Sequence, residues 1–333
     1  MSTSVGIAGV GTYFPAGYQS SREIAEASAI PQDVVEQKLG LKGKHIAGPD
    51  EHVSDMAIRA AVPVLEGVDP SEVGAVVYFG SAHKDYYLWS VAPKIQHGLG
   101  LPRAFAMELM NTSACGPVAL KVAKDMLIAD PSLGSILLVG ASRESWVIDY
   151  QNQRSRFAFN FADGAAAALL RRGHDRHLIL SSAITTDGSF WDGVFVPAGG
   201  SVHPASAETL ARRMHFLDVA DAPQLKTRLD PITLDRFVGV VRRAVEQSGF
   251  GVEEINFLAP LHTKRSLFDA LLNALDLQPH QSFYLEAYGH MSAIDPFVVL
   301  AEADRLGRLH SGDLVVALSA GTGYTWAATA ILW

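Results

Sequence analysis

Short runs of apolar residues alternate along the chain with stretches in which apolar residues recur at helical spacing. The runs at 74–80, 134–140 and 255–261 are continuous, which is typical of strands covered on both faces of a sheet. The stretches at 118–130 and 296–306 repeat their apolar positions every three or four residues and predict helices. This alternation predicts an α/β fold with buried strands.

The second half of the chain repeats the order of the first at an offset of roughly 180 residues, which indicates an internal duplication. The predicted helix, turn and strand between Val118 and Gly140 are echoed between Pro296 and Leu318. We therefore expect two similar halves of βαβ type, residues 1–173 and 174–333. Their layers should pack together, with a functional site where the halves meet.

Composition narrows the class of protein. The 333 residues include one cysteine, which excludes a disulfide framework and favours a reducing cytoplasm. The net charge of -8 gives no nucleic-acid-binding footprint. The first residues, Met1–Ser4, lack the basic start of a signal peptide, and no apolar run approaches the ~20 residues of a membrane span. We expect a cytoplasmic enzyme that binds no nucleic acid, membrane, metal or resident cofactor.

The single cysteine, Cys115, is the first candidate for chemistry. It lies between the run at 104–110, which predicts a buried strand, and the predicted helix at 118–130. A thiol at a helix start meets the positive end of the helix dipole, which favours the thiolate and hence a nucleophile. The alternative is an inert buried cysteine, because free cysteine is among the most buried residue types.

Two histidines and a glycine-rich loop are further candidates. His262 directly follows the predicted strand at 255–261, and His290 precedes the helix predicted from Pro296. Sites in α/β folds form at such strand ends, although a histidine bound to backbone groups is the alternative. The loop at 320–323 is suited either to direct a backbone N–H at an oxyanion or to form a plain tight turn.

Together these motifs resemble the β-ketoacyl-[acyl carrier protein] synthase III family of the thiolase superfamily. The resemblance covers the whole chain and rests on Cys115 after a strand, His262 after a second strand, the Tyr288–Ala293 segment, and the glycine loop that runs into Trp326. It implies a thiolase-like fold, with the two halves arranged in five layers in the order α-β-α-β-α. It also implies a homodimer.

The family's reaction implies a role for each motif. Cys115 would take an acyl group from acyl-CoA or acyl carrier protein as a thioester, and the backbone N–H groups of Cys115 and Thr322 would bind the oxyanion. His262 and His290 would donate hydrogen bonds to a second, malonyl-type thioester, whose decarboxylation drives condensation. The product would enter fatty acid or specialised lipid or polyketide metabolism. Coenzyme A and phosphopantetheine thioesters are substrates here, and the family implies no cofactor.

Three positions depart from the family pattern. The third catalytic residue, usually Asn, is His290; Cys115 is followed by Gly-Pro; and the bulky ring of the glycine loop is replaced by Ala320. We expect His290 to act as a donor. The alternative is a general base in an acyltransferase that moves the acyl group to an alcohol or amine without decarboxylation. A non-catalytic partner subunit is a third reading, which the retained Cys115 and histidines disfavour.

The resemblance also indicates where substrate would enter the site. The resemblance puts Lys38 near the coenzyme A mouth, and with Lys264 and Arg265 it predicts a basic rim for a phosphopantetheine arm or an acidic carrier protein. The alternative is a solvated charged face. Leu88 or Trp89 falls where the family sends a side chain across the dimer interface into the partner's acyl pocket. The aromatic stretch around them predicts that interface.

Overall fold

The computed structural model describes residues 4–333. The strands in this range are β1 (Val5–Tyr13), β2 (Gly17–Ser20), β3 (Gly43–Ile46), β4 (Val73–Tyr78), β5 (Phe105–Glu108), β6 (Ser135–Arg143), β7 (Asp163–Arg172), β8 (Leu178–Thr186), β9 (Val194–Phe195), β10 (Asp218–Val219), β11 (Ile255–Pro260), β12 (Leu314–Gly321) and β13 (Thr325–Leu332). The α-helices are α1 (Ser21–Ser28), α2 (Gln32–Val34), α3 (Val53–Ala61), α4 (Ala92–Gly98), α5 (Cys115–Ala129), α6 (Ala207–Ala211), α7 (Ala222–Glu246), α8 (Arg265–Ala274) and α9 (Asp295–Arg305). None of these helices combines the length and apolar content of a membrane span.

Nine strands form one sheet in the order β11-β12-β13-β8-β1-β7-β6-β4-β5. The strands of the first half of the chain (β1 and β4 to β7) and those of the second half (β8 and β11 to β13) form two groups. The groups meet at a single residue pair, Gly6 of β1 and Leu178 of β8. Within each group, parallel pairs (β4 with β5 and β6, and β11 with β12) lie beside antiparallel ones.

Helices cover both faces of each group of strands. The central helices α5 and α9 lie between the groups and contact strands of both. Helices α3 and α4 cover the outer face of the first group, and α7 and α8 cover that of the second. The predicted α/β fold of five layers, α-β-α-β-α, is therefore confirmed. The boundary predicted at 173 falls in the turn between β7 and β8, and its status as a domain boundary stays a prediction.

The starts of the two central helices touch each other. Each has a proline in its first turns, and each follows a short 3₁₀ turn that contains a residue of positive φ, Thr112 at 44° and Ser292 at 58°. A Cβ on Gly116 of α5 would stand 2.4 Å from the carbonyl oxygen of Ala293, so only glycine allows this approach. The contact brings together the polar residues that precede the two helices.

Several predicted elements differ from the structure. Strand β5, predicted to be buried, is an edge strand, and its Phe105 is 47% exposed. Helix α7 begins at Ala222, and the apolar period of its first half is weak, because that half is mostly exposed and contains Pro231. Strand β1 continues to Tyr13, since it pairs with β7 along that length.

Replacing Gly116 by alanine should loosen the contact between α5 and α9. The added Cβ would force a backbone shift, and overpacking of this kind costs about 1–3 kcal/mol. We expect a lower midpoint of thermal unfolding, measured by circular dichroism. Gly239→Ala in α7 is the matched control, because its Cβ would meet nothing within 4 Å and should leave the midpoint equal or higher. An unchanged midpoint for Gly116→Ala would contradict the tight contact.

Candidate active site

A cavity of about 490 Å³ opens between the start of α5, the loop before α9, the loop after β12 and the first half of α7. Its walls are mostly apolar, with side chains that include Leu225, Leu229, Phe237, Leu261 and Trp326. Ser113, His262, His290 and Thr322 also line it. A deep apolar cleft with a few converging polar groups is the usual form of a small-molecule site.

A serine, a histidine and an aspartate form a chain of hydrogen bonds at this cavity. The Ser113 Oγ lies 3.0 Å from His290 Nε2, and His290 Nδ1 lies 2.5 Å from Asp295 Oδ2. An ionised carboxylate only accepts, so Nδ1 carries the proton and donates it to Asp295. The Nε2 atom is then an acceptor, and the Ser113 hydroxyl donates to it. This is the arrangement of an activated serine nucleophile with its base and orienting carboxylate.

Asp295 is held in place from three directions. Besides the bond from His290, its Oδ2 accepts a hydrogen bond from the backbone N–H of His262 at 2.8 Å, and its Oδ1 accepts one from that of Met291 at 2.7 Å. The side chain is fully buried and belongs to the first residue of α9, where the helix dipole stabilises a negative charge. The carboxylate therefore has a fixed position.

The protonation of His290 is set by opposing effects. Burial lowers the pKa of His290, but the charge of Asp295, its hydrogen bond and the charge of Glu144 outweigh burial and leave this pKa above its ordinary value. A raised pKa makes the imidazole a stronger base for the Ser113 proton.

His262 has a different state. Its Nε2 lies 3.3 Å from the carbonyl oxygen of Gly40, which can only accept, so Nε2 carries the proton and Nδ1 accepts from Asn160 Nδ2 at 3.0 Å. Burial, helped by the charge of His290 and opposed by that of Asp295, lowers the pKa of His262 to about 4. The Nε2 atom of His262 therefore donates and that of His290 accepts in this structure, and the role of both histidines as donors to one substrate oxygen stays a prediction.

Cys115 begins α5 as predicted, and its role as the nucleophile stays a prediction. Its side chain is buried in the core, its Sγ donates to the carbonyl oxygen of Leu109 at 3.2 Å, and it is not among the residues that line the cavity. Burial raises the pKa of Cys115 to about 12, against the opposing effect of a hydrogen bond with the backbone of Asn111. Its backbone N–H donates to the carbonyl of Thr112, and its place in an oxyanion hole stays a prediction.

Two other backbone amides are available for an oxyanion. Within residues 4–333 no backbone carbonyl accepts a hydrogen bond from the N–H of Ser113 or of Thr322, and both residues line the cavity. The Thr112 hydroxyl donates to the Thr322 carbonyl at 3.3 Å, which ties the loop to the serine turn. A Cβ on Gly321 would stand 2.0 Å from that hydroxyl oxygen, so glycine is required there. The predicted role of Thr322 remains a proposal that this geometry supports.

A buried lysine positions both histidines. Lys44 Nζ donates to the carbonyls of Phe159 at 2.8 Å and Phe161 at 2.6 Å. Asn160, between them, accepts the backbone N–H of His290 with its carbonyl and holds His262 with its side chain. Burial lowers the pKa of Lys44 to about 7, against the opposing charge of Asp163. This role was not predictable from the sequence, in which Lys44 lies in a short basic segment at 40–45.

The mouth of the cavity is cationic. Its lining includes four basic residues, namely Lys38, Arg154, Lys226 and Lys264. Two of these, Lys38 and Lys264, were predicted, but Arg265 is not part of the lining. Its guanidinium pairs with Asp269 at 2.9 Å and lies over the ring of Tyr284, so its predicted contact with substrate is not supported.

Leu88 and Trp89 lie away from the cavity of their own chain. Leu88 is 92% exposed, and Trp89 packs edge-on against Tyr86. The role predicted for them concerns a partner chain, so it stays a prediction.

Sequence reasoning missed Ser113 and Asp295. Ser-Ala-x-x-Pro occurs twice, at 113–117 and 292–296, in corresponding positions of the two halves. Aligning the duplicated segments would have drawn attention to Ser113 next to the repeat that contains Asp295. The rarity of Cys115 drew attention away from it.

Comparisons with known proteins identify the family. A family model described as 3-oxoacyl-[acyl-carrier-protein (ACP)] synthase III matches residues 107–188, and the model of the C-terminal part of that enzyme matches residues 245–333. Together these matches cover just over half of the chain.

Curated relatives match over almost the full length. A beta-ketoacyl-[acyl-carrier-protein] synthase III of Desulfitobacterium hafniense (strain Y51) is 29% identical over 335 residues, covering 99% of this chain and 98% of the relative. A 3-oxopimeloyl-[acyl-carrier-protein] synthase of Rhodothermus marinus is 27% identical, covering 98% of this chain and 93% of the relative.

Solved structures share the fold. The 3-oxoacyl-(acyl carrier protein) synthase III of Pseudomonas aeruginosa PAO1 matches with a TM-score of 0.86 at 24% identity, covering 99% of this chain and 98% of that one. The priming β-ketosynthase of the R1128 polyketide pathway matches with a TM-score of 0.86 at 23% identity, covering 98% and 96%. The predicted resemblance is confirmed, and the chain belongs to the 3-oxoacyl-[acyl-carrier-protein] synthase III family of acyltransferases.

Proposed function

We propose that this enzyme acts as a 3-oxoacyl-[acyl-carrier-protein] synthase III, like its named relatives, and that it has a second route in which Ser113 carries the acyl group as an ester and transfers it to a hydroxyl or amine of a small molecule. The observation that carries the second route is the chain of hydrogen bonds from Ser113 through His290 to Asp295. It supplies a nucleophile, a base that accepts its proton, and a carboxylate that orients the base. The sequence predicted such a transfer from Cys115, so the Ser113 route differs in the residue that carries the acyl group.

In the first half-reaction, Ser113 Oγ attacks the carbonyl carbon of an acyl thioester while His290 Nε2 takes the hydroxyl proton. The oxyanion of the tetrahedral intermediate accepts hydrogen bonds from the N–H groups of Ser113 and Thr322. Collapse of the intermediate breaks the carbon–sulfur bond, and His290 returns the proton to the leaving thiol. Asp295 stabilises the imidazolium form of His290 between these two transfers.

In the second half-reaction, the acceptor is the nucleophile and Ser113 Oγ is the leaving group. His290 Nε2 removes a proton from the acceptor hydroxyl or amine, and the freed oxygen or nitrogen attacks the ester carbonyl. The bond to Ser113 Oγ then breaks, and Ser113 recovers its proton from His290. No carbon dioxide is released, and the acyl group keeps its number of carbons.

The cavity suits the thioester arm of the donor. Its apolar walls match an extended pantetheine chain, and the cationic mouth matches the phosphates of coenzyme A or the acidic surface of an acyl carrier protein. We therefore propose acyl-CoA or acyl carrier protein as the donor. Lys38 and Lys264 are proposed to bind at this mouth.

Condensation with a malonyl-type thioester is the function that the family and its named relatives support, and the neutral His262 fits it. Its pKa of about 4 leaves the ring uncharged at neutral pH, as a hydrogen-bond donor to a thioester carbonyl requires. Two features of this chain distinguish its site from the family pattern: His290 Nε2 accepts from Ser113, and Ala320 gives the loop no bulky apolar wall.

A homodimer in the cytoplasm is also proposed. The exposed apolar side chains of Tyr86, Tyr87 and Leu88 are 67%, 79% and 92% accessible in the single chain, which supports a partner surface there. A reducing compartment fits a chain with one cysteine.

Ser113→Ala should abolish covalent acylation, while Cys115→Ala should keep it. The first variant removes the hydroxyl bonded to His290 Nε2, and the second removes a thiol that faces the core. Intact-protein mass spectrometry after incubation with an acyl-CoA, followed by peptide mapping, measures both. Acyl mass retained by Ser113→Ala and lost by Cys115→Ala would overturn the proposal.

The acidic limb of the pH–rate profile for acylation should follow the pKa of His290. The base works in its neutral form, so the rate falls as the pH drops through this raised pKa. Asp295→Asn removes the charge that raises it, so the limb should move to lower pH while the maximal rate falls by about 1,000- to 10,000-fold. Rapid quenching and mass spectrometry give the profile, with the exposed Asp125→Asn as control. An unmoved limb would contradict the role of Asp295.

Product mass separates the two candidate functions. Pre-acylated enzyme should transfer its acyl group to alcohols or amines without change in carbon number. With malonyl-CoA or malonyl-carrier protein, condensation should give a 3-oxoacyl product and release carbon dioxide. Transfer to alcohols or amines with no 3-oxoacyl product would contradict condensation, and condensation without any such transfer would contradict the Ser113 route.

A further inference from the structure

The side-chain amide of Asn160 contacts the ring of His262 on the nitrogen that the proposed condensation does not use. Asn160 Nδ2 lies 3.0 Å from His262 Nδ1, and the two residues are only 8% and 3% exposed. Both also line the cavity. An amide nitrogen only donates, so this bond occupies the lone pair of Nδ1 and leaves the ring proton to Nε2.

The backbone around Asn160 is held at three consecutive residues. Lys44 Nζ donates to the carbonyls on either side, those of Phe159 and Phe161, at 2.8 and 2.6 Å. The carbonyl of Asn160 itself accepts the backbone N–H of His290 at 2.8 Å. The position of the amide is therefore set by bonds that do not involve its own side chain.

Stability does not account for an asparagine at this position. Its Oδ1 is buried and has no hydrogen-bond partner within residues 4–333. A buried polar atom without a partner costs free energy of folding, and an apolar side chain of similar size, such as leucine, would avoid that cost. What the asparagine contributes is the hydrogen bond to the ring of His262.

The surroundings of His262 act on its charge in both directions. The charge of Asp295 favours the imidazolium form, whereas burial and the charge of His290 favour the neutral form and leave the pKa of His262 at about 4. Tyr284 stacks on the ring with 5.1 Å between centroids, and burial raises the pKa of its phenol, so it brings no charge. Asn160 acts through geometry, because a proton on Nδ1 would face the N–H of its amide.

The charge of His262 decides what its Nε2–H does to an enolate. Decarboxylation of a malonyl thioester releases carbon dioxide and leaves the electron pair of the broken carbon–carbon bond on the thioester as an enolate. A neutral imidazole stabilises this enolate by a hydrogen bond and keeps its proton, so the carbanion remains able to attack an acyl group. An imidazolium would give up its proton, and the enolate would become an acetyl thioester that does not condense.

We propose that Asn160 is a positioning residue of the condensation: its amide keeps the proton of His262 on Nε2 and the ring uncharged, so that each decarboxylation ends in a carbon–carbon bond. The inference rests on the proposed condensation, although the state of the ring can be read without substrate. The resting partner of Nε2, the Gly40 carbonyl, lies 3.3 Å away, beyond the usual length of about 2.9–3.0 Å. A substrate oxygen in the cavity therefore replaces this weak bond readily.

The first test reads the ring directly. Nitrogen-15 spectra of histidine-labelled enzyme at neutral pH show which ring nitrogens carry protons, and His262→Gln identifies the signals of His262 by their loss. The unaltered enzyme should show a protonated Nε2 and an unprotonated Nδ1. Asn160→Asp places a carboxylate oxygen at Nδ1, so both nitrogens should be protonated. Asn160→Leu should move the Nδ1 signal to the position of a nitrogen without a hydrogen bond.

The second test measures products from pre-acylated enzyme and malonyl-CoA. The unaltered enzyme should release carbon dioxide and form 3-oxoacyl product in equal amounts. Asn160→Asp should lose this equality, with excess carbon dioxide and acetyl-CoA. Asn160→Leu should slow condensation by up to about 100-fold, as loss of a well-placed donor does. Asn273→Asp makes the same change at an exposed position of α8 and should leave both readouts unchanged.

Three outcomes would overturn the inference. One is a proton on His262 Nδ1 in the unaltered enzyme, and another is an unprotonated Nδ1 in Asn160→Asp. The third is Asn160→Asp that still forms carbon dioxide and 3-oxoacyl product in equal amounts. The near-isosteric Asn160→Asp keeps these outcomes measurable if Asn160→Leu fails to fold.

Failure of the proposed function gives a different result. Absence of 3-oxoacyl product from the unaltered enzyme would overturn the condensation, and with it the coupling that Asn160 is proposed to maintain. The ring signals would then still decide whether Asn160 fixes the tautomer of His262.

Discussion

The site depends on one buried carboxylate. Asp295 accepts three hydrogen bonds, from the ring of His290 and from the backbones of Met291 and His262. It thereby fixes the tautomer of one histidine and the position of the other. Because Asp295 is also the first residue of α9, the register of that helix sets where the base stands relative to Ser113. A shift of this helix start would disturb every polar group of the site at once.

The fold was predictable because the apolar patterns that indicate it lie within single strands and helices and occur in both halves of the chain. Continuous apolar runs marked β4, β6 and β11, and the duplication at a constant offset predicted two equivalent groups of strands with helices between them. The errors occurred where exposure breaks the pattern. The first half of α7 carries few buried residues, since it covers a cavity rather than a core.

The candidate site was only partly predictable. His262 and His290 stand where the strand ends indicated, and the rarity of its residue type made Cys115 the predicted nucleophile. The sequence could not predict the burial that raises the pKa of this thiol, because the burial of a single side chain depends on residues distant along the chain. The choice between Cys115 and Ser113, two residues apart, depends on which side of a tight turn faces His290, 177 residues away along the chain.

An ester on Ser113 stores less energy than the thioester that a cysteine would hold, since oxygen donates into the carbonyl more strongly than sulfur. Loading from a thioester would then run downhill and discharge the group-transfer potential of the donor in the first step. What remains is close to balanced for an alcohol acceptor and downhill for an amine. A carbanion would meet a less electrophilic carbonyl in a serine ester than in a cysteine thioester. An ester on Ser113 would thus bias the energetics of the second step away from carbon–carbon bond formation.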